Sequence, residues 1–159
     1  MSKQLKLKIV TPEKLILEEM VDQVSLPATE GEITVLPDHI PLITGLAFGD
    51  VVAVANSEHI PMAVVGGFVE VKKNEGITEV AVLADFAEHV SEISDEKIKE
   101  AKDRTEKLKK QMPARPPVSG AGGENKEIID FEHFEAELER SLTRVKIADK
   151  WRTRKYRKF

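Results

Sequence analysis

TEGEITVLPDHIPLIT, residues 29–44, is the stretch on which the reading of this chain turns. It joins a tight acidic turn (Glu30-Gly31-Glu32) to a strand-like run (Ile33–Leu36), then to the loop Pro37-Asp38-His39-Ile40-Pro41, with apolar Leu42 and Ile43 directly after. Prolines fix φ at two of the five loop positions and remove two hydrogen-bond donors, so Asp38 and His39 sit on stiff backbone. Polar groups held on a stiff loop face a partner.

Outward from this loop, residues 1–88 read as short strands. Leu5, Leu7 and Ile9 alternate with Lys6 and Lys8, the period of two that puts one face on a core and the other in water. Further strand-like runs are Lys14–Leu17, Val21–Leu26, Asp50–Ala55, Ile60–Val65, Phe68–Lys72 and Ile77–Leu83. Turn signals separate them at even spacing, which predicts a sandwich or barrel. Gly66-Gly67 predicts a bulge or a close backbone approach.

Near residue 90 the period changes. Ile98, Ala101, Thr105, Leu108 and Met112 recur at spacings of three and four and share one helical face, with Ser94 as N-cap and Asp95 and Glu96 suited to the positive end of the dipole. MPARPPVSGAGGEN, residues 112–125, holds three prolines and three glycines and reads as a linker. A second helix is expected from about Asp130 as N-cap, with Phe131, Phe134, Leu138, Leu142 and Val145 on one face; KIADKWRTRKYRKF continues it or frays. The two helices can pair as an antiparallel hairpin. The organisation expected is a β domain over 1–90 and a two-helix domain over 91–159.

Length and composition narrow the function classes. A chain of 159 residues with 41% hydrophobic content supports one modest core plus an appendage. No apolar run long enough to span a bilayer and no cleavable leader pattern is present, so a soluble, unexported protein is expected. Absence of cysteine excludes disulfides and thiolate metal sites. Charge is unevenly spread: residues 1–90 carry −8 and no arginine, whereas residues 146–159 carry +6. Such a split suits an acidic partner for the tail.

Candidate chemistry is sparse. Glu30, Glu32, Asp38, His39 and His59 form the one cluster suited to a metal or to acid–base work, though residues on a polar loop more often face solvent or a partner. No nucleophile elbow, phosphate loop or HExxH helix occurs, and no catalytic residue is assigned. The basic tail reads as a solvated helix end, as a nucleic-acid patch with Trp151 and Tyr156 stacking on bases, or as a protein-binding arm anchored by Trp151, Tyr156 and Phe159. An acidic body argues against nucleic acid, and the protein-binding arm is favoured.

LKLKIVTPEKLILEE (5–19), EGEITVLPDHIPLIT (30–44), GGFVEVKKN (66–74), VAVLADFAE (80–88) and then two helices, in that order, resemble the epsilon subunit of bacterial and chloroplast F-type ATP synthases. The resemblance covers residues 1–111 and implies a sandwich of about ten short strands followed by an α-helical hairpin. It implies a non-catalytic rotor subunit that turns with gamma on the membrane c-ring, with Glu32 and His39 touching the ring and the apolar face of the sandwich packing on gamma. A peripheral place is implied, on the cytoplasmic face of the plasma membrane or the stromal face of the thylakoid.

The family also implies regulation, in which the hairpin opens and inserts its second helix between alpha and beta subunits to block hydrolysis. Lys146, Lys150, Arg152, Arg154, Lys155, Arg157 and Lys158 would form that inhibitory arm. In many members ATP steadies the folded hairpin at an Asp-x-x-Arg-Ala pattern. Here the Asp, Arg and Ala positions are Ser94, Lys97 and Ile98, which loses the planar guanidinium fork, crowds a small-residue position and puts ATP binding in doubt. No resident cofactor is expected. The linker, longer than the family's usual turn, eases hairpin opening or lengthens its reach. A different class stays open on the residues alone, a small cupin-like enzyme holding metal at His39 and His59.

Overall fold

Alternation in the first strand decides the core. In the computed structural model, which describes residues 3–111 and 126–155, β1 (Leu5–Val10) buries Leu5, Leu7 and Ile9 completely. β2 (Leu15–Val21) pairs with β1, β3 (Gln23–Ala28) with β4 (Gly31–Val35), and β6 (Gly49–Ala55) joins β3 to β7 (Glu58–Asn74). β5 (Leu42–Gly45) and β8 (Ile77–His89) also lie on β7, and β8 runs parallel to β1.

These eight strands make two layers, because β7 and β8 are long enough to serve both. The first half of β8 and the second half of β7 lie with β1, β2 and β5; the remaining halves lie with β6, β3 and β4. Counted once in each layer, the two long strands bring the total to the ten of the resemblance. One apolar cluster fills the space between, with Leu5, Leu7 and Ile9 meeting Val24, Leu26, Val51, Val69 and Val82. Burying each of these side chains contributes about 1.5–3 kcal/mol.

The crossing between layers falls at Gly66-Gly67, and it is a close approach rather than a bulge. Pairing of β7 with β8 steps one for one from Val65↔Phe86 to Gly67↔Ala84, so no extra residue is inserted. Gly67 has φ +108°, and a Cβ there would stand 1.9 Å from the Leu83 carbonyl oxygen. The expected separate strands Ile60–Val65 and Phe68–Lys72 are therefore one bent strand. The expected run Val21–Leu26 is instead split at Asp22, whose carboxylate accepts the Asn56 N–H at 2.9 Å and pins the β6–β7 turn. Asn56 and Ser57 both have positive φ, the backbone of a two-residue hairpin turn.

After a 3-10 turn at Val90–Glu92, α1 (Asp95–Gln111) begins with Ser94 as its cap: the Ser94 hydroxyl accepts the Lys97 N–H at 3.3 Å. The expected face is the buried one, with Ile98, Ala101, Thr105 and Leu108 inside. α2 (Lys126–Lys155) packs back along α1 and reaches the sandwich. Two expectations are corrected here. Asp130 lies inside α2 rather than capping it, and the buried residues are Leu138, Ser141, Thr143, Ile147 and Ala148, two of them small and polar. The linker 112–125 and the side chains of Phe131 and Phe134 lie outside the described residues.

Candidate functional site

The stiff loop at one end of the sandwich is built by three clamps on Asp38. Leu36-Pro37-Asp38-His39 is a β-turn closed by the His39 N–H to the Leu36 carbonyl at 3.1 Å, with Asp38 at φ +67° in its third position. The Asp38 N–H donates to the Thr78 hydroxyl at 2.8 Å, and its carboxylate accepts from Lys3 at 2.6 Å and Lys73 at 2.7 Å. Hydrogen bonds and charge from Lys3 first, then Lys73, hold the Asp38 carboxyl down to about 2. Around it Leu36, Ile40 and Ile43 are exposed, Ile40 and Ile43 by about three quarters.

Glu32 and His39, the residues expected to touch the ring, lie on different elements, β4 and the loop after it. His39 stays on the loop, its Nδ1 2.8 Å from the Ile40 carbonyl oxygen. Glu32, on β4, lines a shallow cavity of about 230 Å³ with Asp50, His59 and Lys150. Among the described residues no group of three His, Asp or Glu converges as metal ligands would.

A second feature crosses the sandwich face. Phe68, Leu83, Val10 and Leu15 are consecutive partners across β7, β8, β1 and β2, and form an apolar row over four neighbouring strands. Phe68 is 62% exposed and Leu83 53%, along an open groove of about 360 Å³ that Val10 also lines, and Leu15 is 50% exposed. Solvent-facing apolar groups scattered singly need no explanation, but a contiguous row is a candidate docking surface.

The third feature is the clasp holding the helices. Glu88, at the end of β8, has a side chain only 10% exposed; its Oε1 accepts from Lys97 of α1 at 2.7 Å and its Oε2 from Arg144 of α2 at 2.8 Å. One carboxylate thus ties the sandwich to both helices. Arg144 also lies over the Phe86 ring, 4.8 Å from its centroid. Farther along α2, Lys150 donates to both Asp50 oxygens at 2.8 Å and Trp151 Nε1 donates to Oδ2 at 3.1 Å. Between these anchors Ile147 and Ala148 pack on Ala63, Ile93 and Ile98.

Of the expected arm, Lys150 is therefore held by Asp50, and Lys146 lies over Phe48, 5.5 Å from the ring centroid. The side chains of Arg152, Arg154 and Lys155, and all of Arg157 and Lys158, lie outside the described residues. Ser94 caps α1 and Lys97 pairs with Glu88, so both positions matched to the ATP pattern serve the hairpin itself.

A model of the "ATP synthase, Delta/Epsilon chain, beta-sandwich domain" matches residues 4–90. An ATP synthase epsilon chain from Nitratidesulfovibrio vulgaris is 40% identical over 147 residues, 92% of this chain and 97% of that one. The chain belongs to the ATP synthase epsilon chain family. Another member, from Desulforamulus reducens, is 36% identical over 94% of this chain and its own full length. A subunit in the Euglena gracilis mitochondrial ATP synthase shares the epsilon fold at 22% identity and TM-score 0.57, covering 87% of this chain and 79% of that chain. Epsilon-family membership removes the support for a cupin-like metal enzyme at His39 and His59.

Glu88 and Asp50, which position α2, were not singled out in the sequence. Their partners lie 56 and 100 residues away, and one sequence carries no signal for such pairings. No described helix is long and apolar enough to cross a membrane.

Proposed function

We propose that this epsilon chain is a non-catalytic rotor subunit of a proton- or sodium-driven ATP synthase, linking the membrane ring to gamma and restraining ATP hydrolysis with its second helix. The row Phe68–Leu83–Val10–Leu15 carries this reading. An apolar row along an open groove suits a lasting contact with a partner such as gamma. The end of the sandwich suits the ring: a loop clamped at Asp38 presents His39 between Leu36 and Ile40, and a rigid contact transmits torque without yielding. Glu32 joins the ring contact from the neighbouring face.

The arm Lys146 to Lys158 pairs, when released, with carboxylates of alpha and beta subunits. With Lys97 and Arg144 both held by Glu88, the folded hairpin is fastened to the sandwich by the chain's own side chains. The complex places the chain at the membrane periphery on the side of the catalytic head.

Assembly of the synthase with a chain ending at Val145 tests the regulatory half. ATP hydrolysis rises several-fold above that of the full-length assembly if the arm inhibits. Equal rates with equal incorporation would remove the inhibitory role.

A further inference from the structure

The outer anchor of α2 has the build of a catch. Asp50 is 12% exposed at its side chain, and its two oxygens receive three donor contacts from adjacent residues of α2, two from Lys150 and one from Trp151. Arg144, Ile147, Ala148 and Trp151 recur at helical spacing, so the seam that docks α2 ends at this carboxylate. The apolar part of that seam is small, since two of its members are the alanines Ala63 and Ala148. Polar anchors therefore weigh heavily in whether the end of α2 stays down. The Trp151 ring is also 6.4 Å from that of His59.

We propose that Asp50 is the catch of a latch that keeps the basic arm withdrawn, with Lys150 and Trp151 as the part that engages it. The arm's release is then an exchange of carboxylates: Lys150 leaves Asp50 when a denser acidic protein surface competes for the same ammonium. Lys150 is 47% exposed, so salt reaches the pair and weakens it. Asp50, nearly buried, loses its charge partner and its indole donor together when α2 lifts, which makes the catch open as one step. That the freed arm inhibits rests on the rotor-subunit reading; the latch itself does not.

Trp151 is the sole tryptophan of the chain and reports the latch directly. In the full chain, Asp50→Asn is expected to shift Trp151 emission to the red and at least double its quenching by acrylamide, with circular dichroism unchanged. Added salt moves the unsubstituted chain in the same direction, and Lys150→Gln gives a smaller shift that salt no longer enlarges. Emission and quenching identical to the unsubstituted chain in a folded Asp50→Asn protein would overturn the latch. If that variant does not fold, Lys150→Gln decides: retention of the full salt response overturns it equally. In the assembled synthase Asp50→Asn lowers hydrolysis. A shifted Trp151 with unchanged hydrolysis leaves the latch standing and removes the inhibitory role of the arm instead.

Discussion

Replacing Glu88 by Gln cuts the tie between the sandwich and both helices in one substitution. Its two ion pairs are unequal. Lys97 is 46% exposed, so its pair with Glu88 belongs with surface salt bridges and contributes up to about 1 kcal/mol. Arg144 is 32% exposed against a carboxylate only 10% exposed, and a charge-assisted hydrogen bond of that kind contributes about 1.5–3 kcal/mol. Loss of both weakens docking of the helices by roughly 2–3 kcal/mol, about 30- to 150-fold in the closing equilibrium. Amide hydrogen exchange on the full chain reads this out. Protection of α2 around Arg144–Ala148 is expected to fall by that factor, while β1 and the core half of β7 keep theirs. Unchanged protection of α2, or an equal fall throughout the sandwich, would refute the clasp.

Two further substitutions test the sandwich and the loop. Gly67→Ala forces a Cβ to within 1.9 Å of the Leu83 carbonyl oxygen at φ +108°, and is expected to cost about 3 kcal/mol or more, roughly 6–12 °C in Tm. Gly76→Ala, at φ +84° with nothing within 4 Å, costs only backbone strain of about 1 kcal/mol, and equal melting of the two variants would exclude the close approach as the cause. Asp38 has its carboxyl held down from 3.8 to about 2 by Lys3 and Lys73, so its ionised form steadies the folded loop above about pH 4 and that support is lost as pH falls toward 2. Amide resonances of His39 and Thr78 should move over that window and cease to do so in Asp38→Asn.

Much of this architecture was legible because two periods are written plainly. Leu5, Leu7 and Ile9 alternate as a half-buried strand must, and Ile98, Ala101, Thr105 and Leu108 keep the helical spacing that α1 buries. Ser94 as a cap was legible for the same local reason. What escaped were consequences of folding at a distance. β5 is four residues long and carries too few alternations to be seen. The second helix buries Ser141 and Thr143, small polar residues that a count of apolar residues passes over. Gly66-Gly67 was recognised as a break in strand character, but that the chain there crosses between layers depends on pairing with Leu83 and Ala84.

The docking loop shows the same division. Its stiffness follows from Pro37 and Pro41, yet its fixed position comes from Lys3, Lys73 and Thr78, none of which its own sequence announces. Glu32 and His39 are close in sequence, and both were expected to touch the ring. The reversal at Thr29-Glu30 places Glu32 on β4, where it lines one cavity with Asp50, His59 and Lys150. Charge asymmetry pointed to an acidic partner for the tail, and in the closed chain the acidic sandwich supplies one through Asp50.

The rotor-subunit account is tested most directly by co-purification of the tagged full chain with the other synthase subunits, beside a Phe68→Glu variant. The account predicts that the full chain brings down gamma and the ring subunit in fixed proportion, and that a charge at the most exposed position of the apolar row abolishes or sharply reduces the recovery of gamma. A chain that remains monomeric, or gamma recovered equally with Phe68→Glu, would contradict it.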